Sequence, residues 1–428
     1  MSQNSGKDFW ILIYLPFAAG ISSSGTLIPL FILFITGDSV SYIGIFSSIT
    51  SLVSLFLTFI WGKLTDDTSR RKVFILISLF SGFGIFLGYA FSFNVQHLLI
   101  LAIISGLLLG AESTATNMYL FEHYPPELWE EKLSKLNLCV GLGSCIGMVF
   151  GAVFQMYIVN YSLFFVISSV LCLIAGIMGV FLLKDLRPMD VSLPKLRLES
   201  HIVGNLDIPL YSSLLYKKPA FRKRLQEISA KLKLHFTKYV IIFLVAIFLF
   251  YLSSSLTFTP LSAFMKLQSK IPDSWIFWIY LSYYVILTVS FIFVGKTIDK
   301  YGNRKILFLG LSLRILTYIL FTIYSMLTFE FIIGVVGFII LAGIAGFSIS
   351  FLKVVFSNVY PRLLPDEEDL GEMLAVLSIV GNGAGIIGAY LSGYIAEQFI
   401  YGYFMLFLIS AILAGISTVV FFFIKNLK

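Results

Sequence analysis

One carboxylate stands deep inside a long apolar stretch of this 428-residue chain: Glu112, in Gly106-Leu-Leu-Leu-Gly110-Ala-Glu112-Ser-Thr-Ala-Thr116-Asn117. An ionisable group in such a setting is costly and is a functional candidate by default. Three chemistries suit it: carrying a proton, attracting a cationic solute, or serving as a permanently paired structural group. Two cations lie in comparable settings, Arg314 and Lys353. Lys353 either reaches back to a polar boundary on its long stem or faces inward and attracts an anion. For Arg314 the choice is the same reach or a buried structural pair. Hydroxyls form the other group. Ser22-Ser23-Ser24-Gly-Thr26-Leu-Ile-Pro29 recurs as Ser253-Ser254-Ser255-Leu-Thr257-Phe-Thr-Pro260. Such clusters can hold a polar solute by hydrogen bonds, or simply let helices pack closely. Tyr280, Tyr283 and Tyr284 add aromatic walls with hydrogen-bonding tips.

Enzyme chemistry finds little here, and no enzyme activity and no cofactor are expected. The histidines, His97, His123, His201 and His235, are scattered without metal-ligand spacing. No glycine-rich loop ending in Lys-Ser/Thr is present to cradle a nucleotide. The three cysteines, Cys139, Cys145 and Cys172, fall in apolar runs and read as small packing residues.

The elements that must position these groups follow from composition. The chain is 58% hydrophobic and 12% charged, against about 25% charged for a soluble domain. Twelve apolar runs are predicted as membrane-spanning helices: 9–36, 40–61, 73–92, 97–122, 134–158, 161–183, 239–265, 274–295, 305–326, 331–358, 371–398 and 402–424. The runs are continuous rather than alternating, which excludes a strand barrel. Counted at about 1.5 Å per residue, Ser22 and Ser253 lie roughly 20 Å into their runs, near the middle of a hydrocarbon core about 30 Å thick. Residues 1–7 are short and polar without a cleavable-signal layout, so the first run is expected to be retained.

The net charge of +7 does not point to nucleic acid, because the cations concentrate in alternate loops. Loops 62–72, 184–238 and 296–305 are rich in Lys and Arg, whereas 37–39, 93–96, 159–160 and 327–330 carry none. By the positive-inside rule both termini are cytoplasmic. Segment 184–238 divides the chain into a predicted N-terminal six-helix bundle, 1–183, and a C-terminal one, 239–428. Within it Phe221, Leu225, Ile228, Leu232 and Phe236 recur at helical spacing among cations. That pattern fits either a basic amphipathic helix on the inner membrane surface or a solvated linker helix.

A second repeat accompanies the serines. Gly62-Lys-Leu-Thr-Asp66-Asp-Thr-Ser-Arg70-Arg71-Lys72 returns as Gly295-Lys-Thr-Ile-Asp299-Lys-Tyr-Gly302-Asn-Arg304-Lys305. Two halves, a basic central loop and this cytoplasmic motif resemble the major facilitator superfamily of secondary transporters, over essentially the whole chain. The loop is similar to the family's motif A. The second copy is the closer one, since Asp67 and Ser69 depart from the pattern in the first. The resemblance implies a cytoplasmic latch: Gly62 and Gly295 allow close helix approach, Asp66 and Asp299 face helix N-termini in the other half, and Arg70, Arg71 and Arg304 pair with acids such as Glu122. The alternative is that these cations only set topology.

The same resemblance implies a central cavity lined by the first, fourth, seventh and tenth helices. It would bring together Ser22, Ser23, Thr26, Glu112, Thr116, Asn117, Ser253, Ser254, Thr257, Tyr280, Tyr284 and Lys353. The arginine that drug and sugar exporters often carry in the fourth helix is absent, Gly106 standing in its place. The expectation is a monomeric cell-membrane transporter moving a small solute by alternating access, with Glu112 as the proton-coupling residue. A drug-like compound, a sugar and an organic ion all fit as substrate. An uncoupled facilitator, a carrier of lipid-like molecules and a transporter-like solute receptor are the alternatives. Membrane lipids and protons are the other expected partners. Aligning Tyr124-Pro125 with Tyr360-Pro361 sets Glu112 opposite Ser348 and Asn117 opposite Lys353, so the charges break the repeat.

Overall fold

A computed structural model describes residues 8–68, 71–109, 111–125, 128–184, 238–327, 330–362 and 370–424. The described chain is helical almost throughout. After a 3-10 turn, Phe9–Ile13, come α1 (Tyr14–Thr36), α2 (Ser41–Thr68), α3 (Arg71–Ala90), α4 (Val95–Leu109), α5 (Ala111–His123), α6 (Trp129–Tyr157) and α7 (Tyr161–Leu182). The second group is α8 (Lys238–Phe258), α9 (Asp273–Tyr301), α10 (Asn303–Met326), α11 (Phe331–Arg362), α12 (Leu370–Gln398) and α13 (Gly402–Phe422).

Among the described residues ten helices are long and apolar enough to cross a membrane, and Ser41–Leu57 and Val95–Leu109 form shorter apolar stretches. The predicted run 97–122 corresponds to α4 and α5, which are described on either side of residue 110. Glu112, Ser113, Thr114, Thr116 and Asn117 make α5 the more polar part. The run 239–265 is interrupted. Pro260 cannot continue the hydrogen-bond ladder, so α8 stops at Phe258, and a short turn Leu261–Ala263 leads into a π-helical turn, Phe264–Gln268. Pro29, by contrast, sits inside a continuous α1. The basic segment 185–237, with its candidate amphipathic helix, lies outside the described residues.

Successive helices run antiparallel, so the loops gather at two ends. One end, with loops 37–40, 91–94, 158–160, 269–272 and 399–401, is poor in cations; the other carries Lys72, Lys132, Lys135, Lys300, Arg304 and Lys305. Within the first group α1 packs on α6 and α7, α3 on α7, and α2 on α4; within the second, α8 packs on α12 and α13, and α10 and α9 on α11. The groups meet along two seams, α2 with α12 and α6 with α9.

Between apolar helices the water-driven hydrophobic term is missing, so close packing and interhelical hydrogen bonds must hold the bundle. Glycine supplies the first. A methyl at Gly147 would lie 2.3 Å from the Ala19 carbonyl of α1, and one at Gly143 2.4 Å from that of Leu15. Serine supplies the second: Ser78 donates to Leu108 O at 3.1 Å, Ser348 to Gly310 O at 2.8 Å and Ser417 to Ala246 O at 2.8 Å. Such bonds average about 0.6 kcal/mol each in membranes.

The two ends differ. At the cation-poor end one apolar cluster runs through both groups, joining Phe31, Phe164 and Leu33 to Phe264, Phe277 and Phe338. The Phe164 and Phe277 rings meet across the α6–α9 seam at 5.8 Å. At the cation-rich end the second group has a separate cluster, with Phe243, Leu307, Leu352 and Phe356. Between Leu133, Ser134, Asn137 and Leu138 of α6 and Thr288, Phe291 and Ile292 of α9 the seam parts around a crevice of about 250 Å³. Among the described residues, the groups share an apolar cluster at the cation-poor end and part around this crevice in the α6–α9 seam toward the other.

Candidate functional site

Polar residues gather between the groups at mid-height. On the first group's side, α5 turns Glu112 and Thr116 onto one face, since residues four apart are neighbours on a helix. Thr116 Oγ1 donates to Glu112 Oε1 at 3.2 Å, and Tyr14 of α1 joins Thr116 through its hydroxyl. Tyr14 and Thr116 are buried, while Glu112 stays half-buried. Asn117 is exposed.

The middle is made of hydroxyls. Ser22 Oγ and Ser144 Oγ are 2.7 Å apart, and Ser144 gives its one hydrogen to Val140 O at 2.9 Å. Ser22 is therefore the donor of the pair, and its lone pairs stay free for a further partner. The Tyr284 hydroxyl of α9 sits beside it, crossing from one group to the other. Tyr280 OH bonds Ser262 Oγ at 3.1 Å, and Tyr283 and Tyr284 stack edge to face at 5.3 Å.

On the second group's side, Ser254 Oγ and Tyr318 OH are 3.0 Å apart. Both accept from Arg314, Tyr318 OH from Nε at 2.9 Å and Ser254 Oγ from Nη2 at 3.2 Å, while Ala345 O accepts from Nη1 at 3.3 Å. Arg314 is only 3% exposed, so its side chain is buried and does not reach a polar boundary. Lys353 lies within electrostatic reach of it, solvent-accessible though set deep among the helices. Glu112, Tyr280, Tyr283 and Tyr284 combine depth and access in the same way. These groups lie among the helices and are still partly accessible.

The remaining candidates are turned elsewhere. Ser23 donates to Ala19 O at 2.7 Å and Ser253 to Phe250 O at 2.7 Å, both fully buried within their own helices. Thr26 contacts Ser22 O at 3.3 Å and the Met148 sulfur at 3.6 Å. Thr257 is buried, and its hydroxyl has no partner among the described residues. Tyr14, Ser144, Ser262 and Tyr318 belong to the site but were not among the sequence candidates. Arg314 and Tyr318, four apart on one helix, were the only such pair with a readable signal.

Of the motif at the cation-rich end less is described. Arg70 and the side chains at Gly62, Asp66, Glu122 and Asp299 lie outside the described residues. Arg71 is buried, and Arg304 lays its guanidinium over the Phe422 ring at 5.5 Å. A methyl at Gly295 would meet nothing within 4 Å among the described residues. A different cluster secures the start of the chain. Asp8 bonds Lys132 at 2.7 Å, Tyr124 OH at 2.8 Å and Lys135 at 3.3 Å, and Trp10 Nε1 donates to Tyr124 OH at 3.1 Å. Burial pushes the Asp8 carboxyl up, but Lys132, Tyr124 and Lys135 outweigh it and hold it below its ordinary value.

The closed end has polar fastenings. Glu397 of α12 accepts from Ser41 N at 2.6 Å and from Ser39 Oγ at 2.8 and 3.0 Å, capping the start of α2 from the other group. On the opposite seam Asp273 accepts from Tyr161 OH and, at 3.0 Å, from Lys266. Ser48 donates to Ile386 O at 2.9 Å.

Three solved structures share this arrangement. The nucleoside transporter NupG, in a single-residue mutant form, superposes with a TM-score of 0.72 at 15% identity, covering 99% of this chain and 100% of that one. A D-xylose–proton symporter gives 0.68 at 14% identity, covering 98% and 96%. A bacterial homolog of the human lysosomal transporter Spinster, in an inward-facing and unoccupied conformation, gives 0.68 at 12% identity, covering 98% and 97%. No curated protein sequence matches closely enough to count as a relative. The Major Facilitator Superfamily model matches residues 10–351 and 243–427, together nearly the full length. With its two helix groups and its motif repeated at one end, the chain belongs to the Major Facilitator Superfamily of membrane transporters.

Proposed function

We propose that this protein is a secondary transporter with twelve spans and cytoplasmic termini in the cell membrane, moving a small solute by alternating access. The reading is supported by polar groups inside the bundle, Glu112 and Ser22 on one side and Tyr284 and Ser254 on the other, between helix groups that share an apolar cluster at one end and part around a crevice toward the other. On this topology the parted, cation-rich end is cytoplasmic, and the structure is inward-facing. Residues 1–183 and 239–428 act as the two rocking units, joined by the basic segment 184–238. The motif around Gly62, Asp66, Gly295 and Asp299 closes the cytoplasmic side once the outer end has opened.

Glu112 is the coupling group in this reading. Thr116 donates to its carboxylate, Tyr14 stands within reach, and solvent can deliver a proton. A protonated Glu112 gives up the charge that makes a carboxylate costly to carry through a closed state. The test is uptake into sealed proteoliposomes under an imposed proton gradient, wild type against Glu112→Gln. Gradient-driven accumulation lost in the variant supports coupling through Glu112. Accumulation and pH dependence that survive Glu112→Gln refute it. Equilibration without accumulation would favour an uncoupled facilitator, and binding without movement a receptor.

A further inference from the structure

Three faces of α9 are occupied by its neighbours. Phe277 and Thr288 fill the space left by Gly151 and Gly141 of α6, while Ile286 and the Tyr283 carbonyl sit over Gly343 and Gly346 of α11. Tyr280 turns inward to Ser262, at 3.1 Å. What remains is a row set three or four residues apart: Val285, Val289, Phe293, Lys296 and Lys300, every member exposed. At 3.6 residues per turn the five stay within a strip about 80° wide.

Between this strip and α11 lies a groove of about 340 Å³. Val285, Val289 and Phe293 form one edge of it, and Phe347 and Phe351, with ring centres 4.5 Å apart, form the other. Ser290 is the one polar residue on its walls among the described residues, and it is buried. An exposed apolar groove on a membrane-crossing helix, turned away from the polar interior, meets lipid tails. The rise from Val285 to Lys296 is about 16 Å, close to half of a hydrocarbon core about 30 Å thick. The groove thus has the depth of one leaflet and ends where headgroups begin.

That end carries charge. Lys296 and Lys300 stand one turn apart on the strip, and the Lys300 ammonium lies 5.1 Å from the centre of the Tyr301 ring. Lysines at such a depth extend toward headgroups, and tyrosines collect at the same level. The repeat shows that the pair is particular to this half of the chain: the positions matching Lys296 and Lys300 in the first copy are Lys63 and Asp67, which sum to no charge. Two cations closing an apolar groove one leaflet deep complement an anionic headgroup on an acyl chain.

We propose that the α9–α11 groove binds an anionic phospholipid, with one acyl chain along Val285, Val289 and Phe293 and the phosphate held by Lys296 and Lys300. On the topology proposed above this lipid belongs to the inner leaflet. The inference goes beyond the transport reading and holds whatever the solute.

The test uses the purified full-length protein in detergent. Dioleoylphosphatidylglycerol is compared with dioleoylphosphatidylcholine, which has the same chains and no net charge, and with glycerol 3-phosphate, which has the charge without the chains. Thermal melting is followed across a concentration series, since a specific ligand stabilises by mass action. Phosphatidylglycerol should half-saturate at a lower concentration than phosphatidylcholine, and glycerol 3-phosphate should give no rise. Lys296→Gln and Lys300→Gln should each raise the phosphatidylglycerol half-saturation about fivefold and leave phosphatidylcholine unchanged. Val289→Trp fills the groove from an exposed position and should weaken both lipids. Lys72→Gln, at the same end but on the first group, should change neither. Equal half-saturation for the two lipids overturns the proposal, as does a rise with glycerol 3-phosphate that matches phosphatidylglycerol. So does a preference that survives in the Lys296→Gln, Lys300→Gln double variant, or one that Lys72→Gln reduces as much. Val289→Trp without effect on either lipid removes the groove as the seat of the chain and overturns it too.

Discussion

Removing the Glu397 carboxylate should open the cation-poor end. Three contacts converge on it, from Ser41 N and twice from Ser39 Oγ, and all cross from one helix group to the other. A hydrogen bond to a charged group contributes about 1.5–3 kcal/mol in a buried setting. Glu397 is exposed, and exposed ionic contacts fall nearer 0–1 kcal/mol. Taking about 2 kcal/mol for the set, Glu397→Ala shifts the closed-to-open ratio about thirtyfold. Spin labels on Phe93→Cys and Ile400→Cys, both at this end and 77% and 97% exposed, would read the change, with Cys139, Cys145 and Cys172 replaced. Double electron–electron resonance should give one short distance for the parent protein and a second, longer population for Glu397→Ala. Glu397→Gln, which keeps one acceptor oxygen, should fall between them. An unchanged distance distribution in Glu397→Ala and in Ser39→Ala would refute the idea that these contacts hold the end shut.

The α2–α12 seam offers a second route to the same outcome. A methyl at Gly44 would lie 2.5 Å from Ala389 O, so Gly44→Ala should cost the closed form about 1–3 kcal/mol and lengthen the same spin-label distance. Loosening the opposite seam should have a smaller effect: Lys266→Met removes the 3.0 Å hydrogen bond to Tyr161 OH across it, a contact of about 1 kcal/mol or less, and is read in the same assay. Asp8 makes stability depend on pH in a defined direction. Because its folded-state value is lowered, its contribution is complete above the ordinary aspartate value of about 3.9 and is lost as the pH falls through the lower folded value. The melting-temperature gap between parent and Asp8→Asn should accordingly be constant near neutrality and close in acid; a gap that widens in acid contradicts the assignment.

Most of the architecture was legible because apolar run length maps directly onto membrane-crossing helices. Pro260 ends α8 while Pro29 leaves α1 intact, a difference that the sequence does not display. The site was less legible. Three serines in a row point in three directions on a helix, and with apolar residues on every side no periodicity says which one faces inward. Ser22 meets Ser144, whereas Ser23 turns back on Ala19 O. In the second copy Ser254, not Ser253, reaches another helix, at Tyr318. Glu112 and Lys353 stood out as charges out of place, but Arg314 on a helix behind the lining did not reveal its link to Ser254. Glu397 sat near a helix end like many surface acids, and only the fold brings it to Ser39 and Ser41.

The α2–α12 seam has a mechanical consequence. Where Gly44 faces Ala389 and Gly393 faces Ser41, backbone runs against backbone, and a methyl at Gly393 would lie 3.0 Å from Ser41 Cα. Interlocked side chains would force one helix to climb out of the other's sockets before it could turn. A glycine track has no sockets to climb. In the alternating-access reading proposed above it works as a bearing, on which one unit can roll over the other while staying in touch. The height of the switching barrier and the choice of resting state are then set by different parts of the molecule, the first by this smooth track and the second by the fastenings at its two ends.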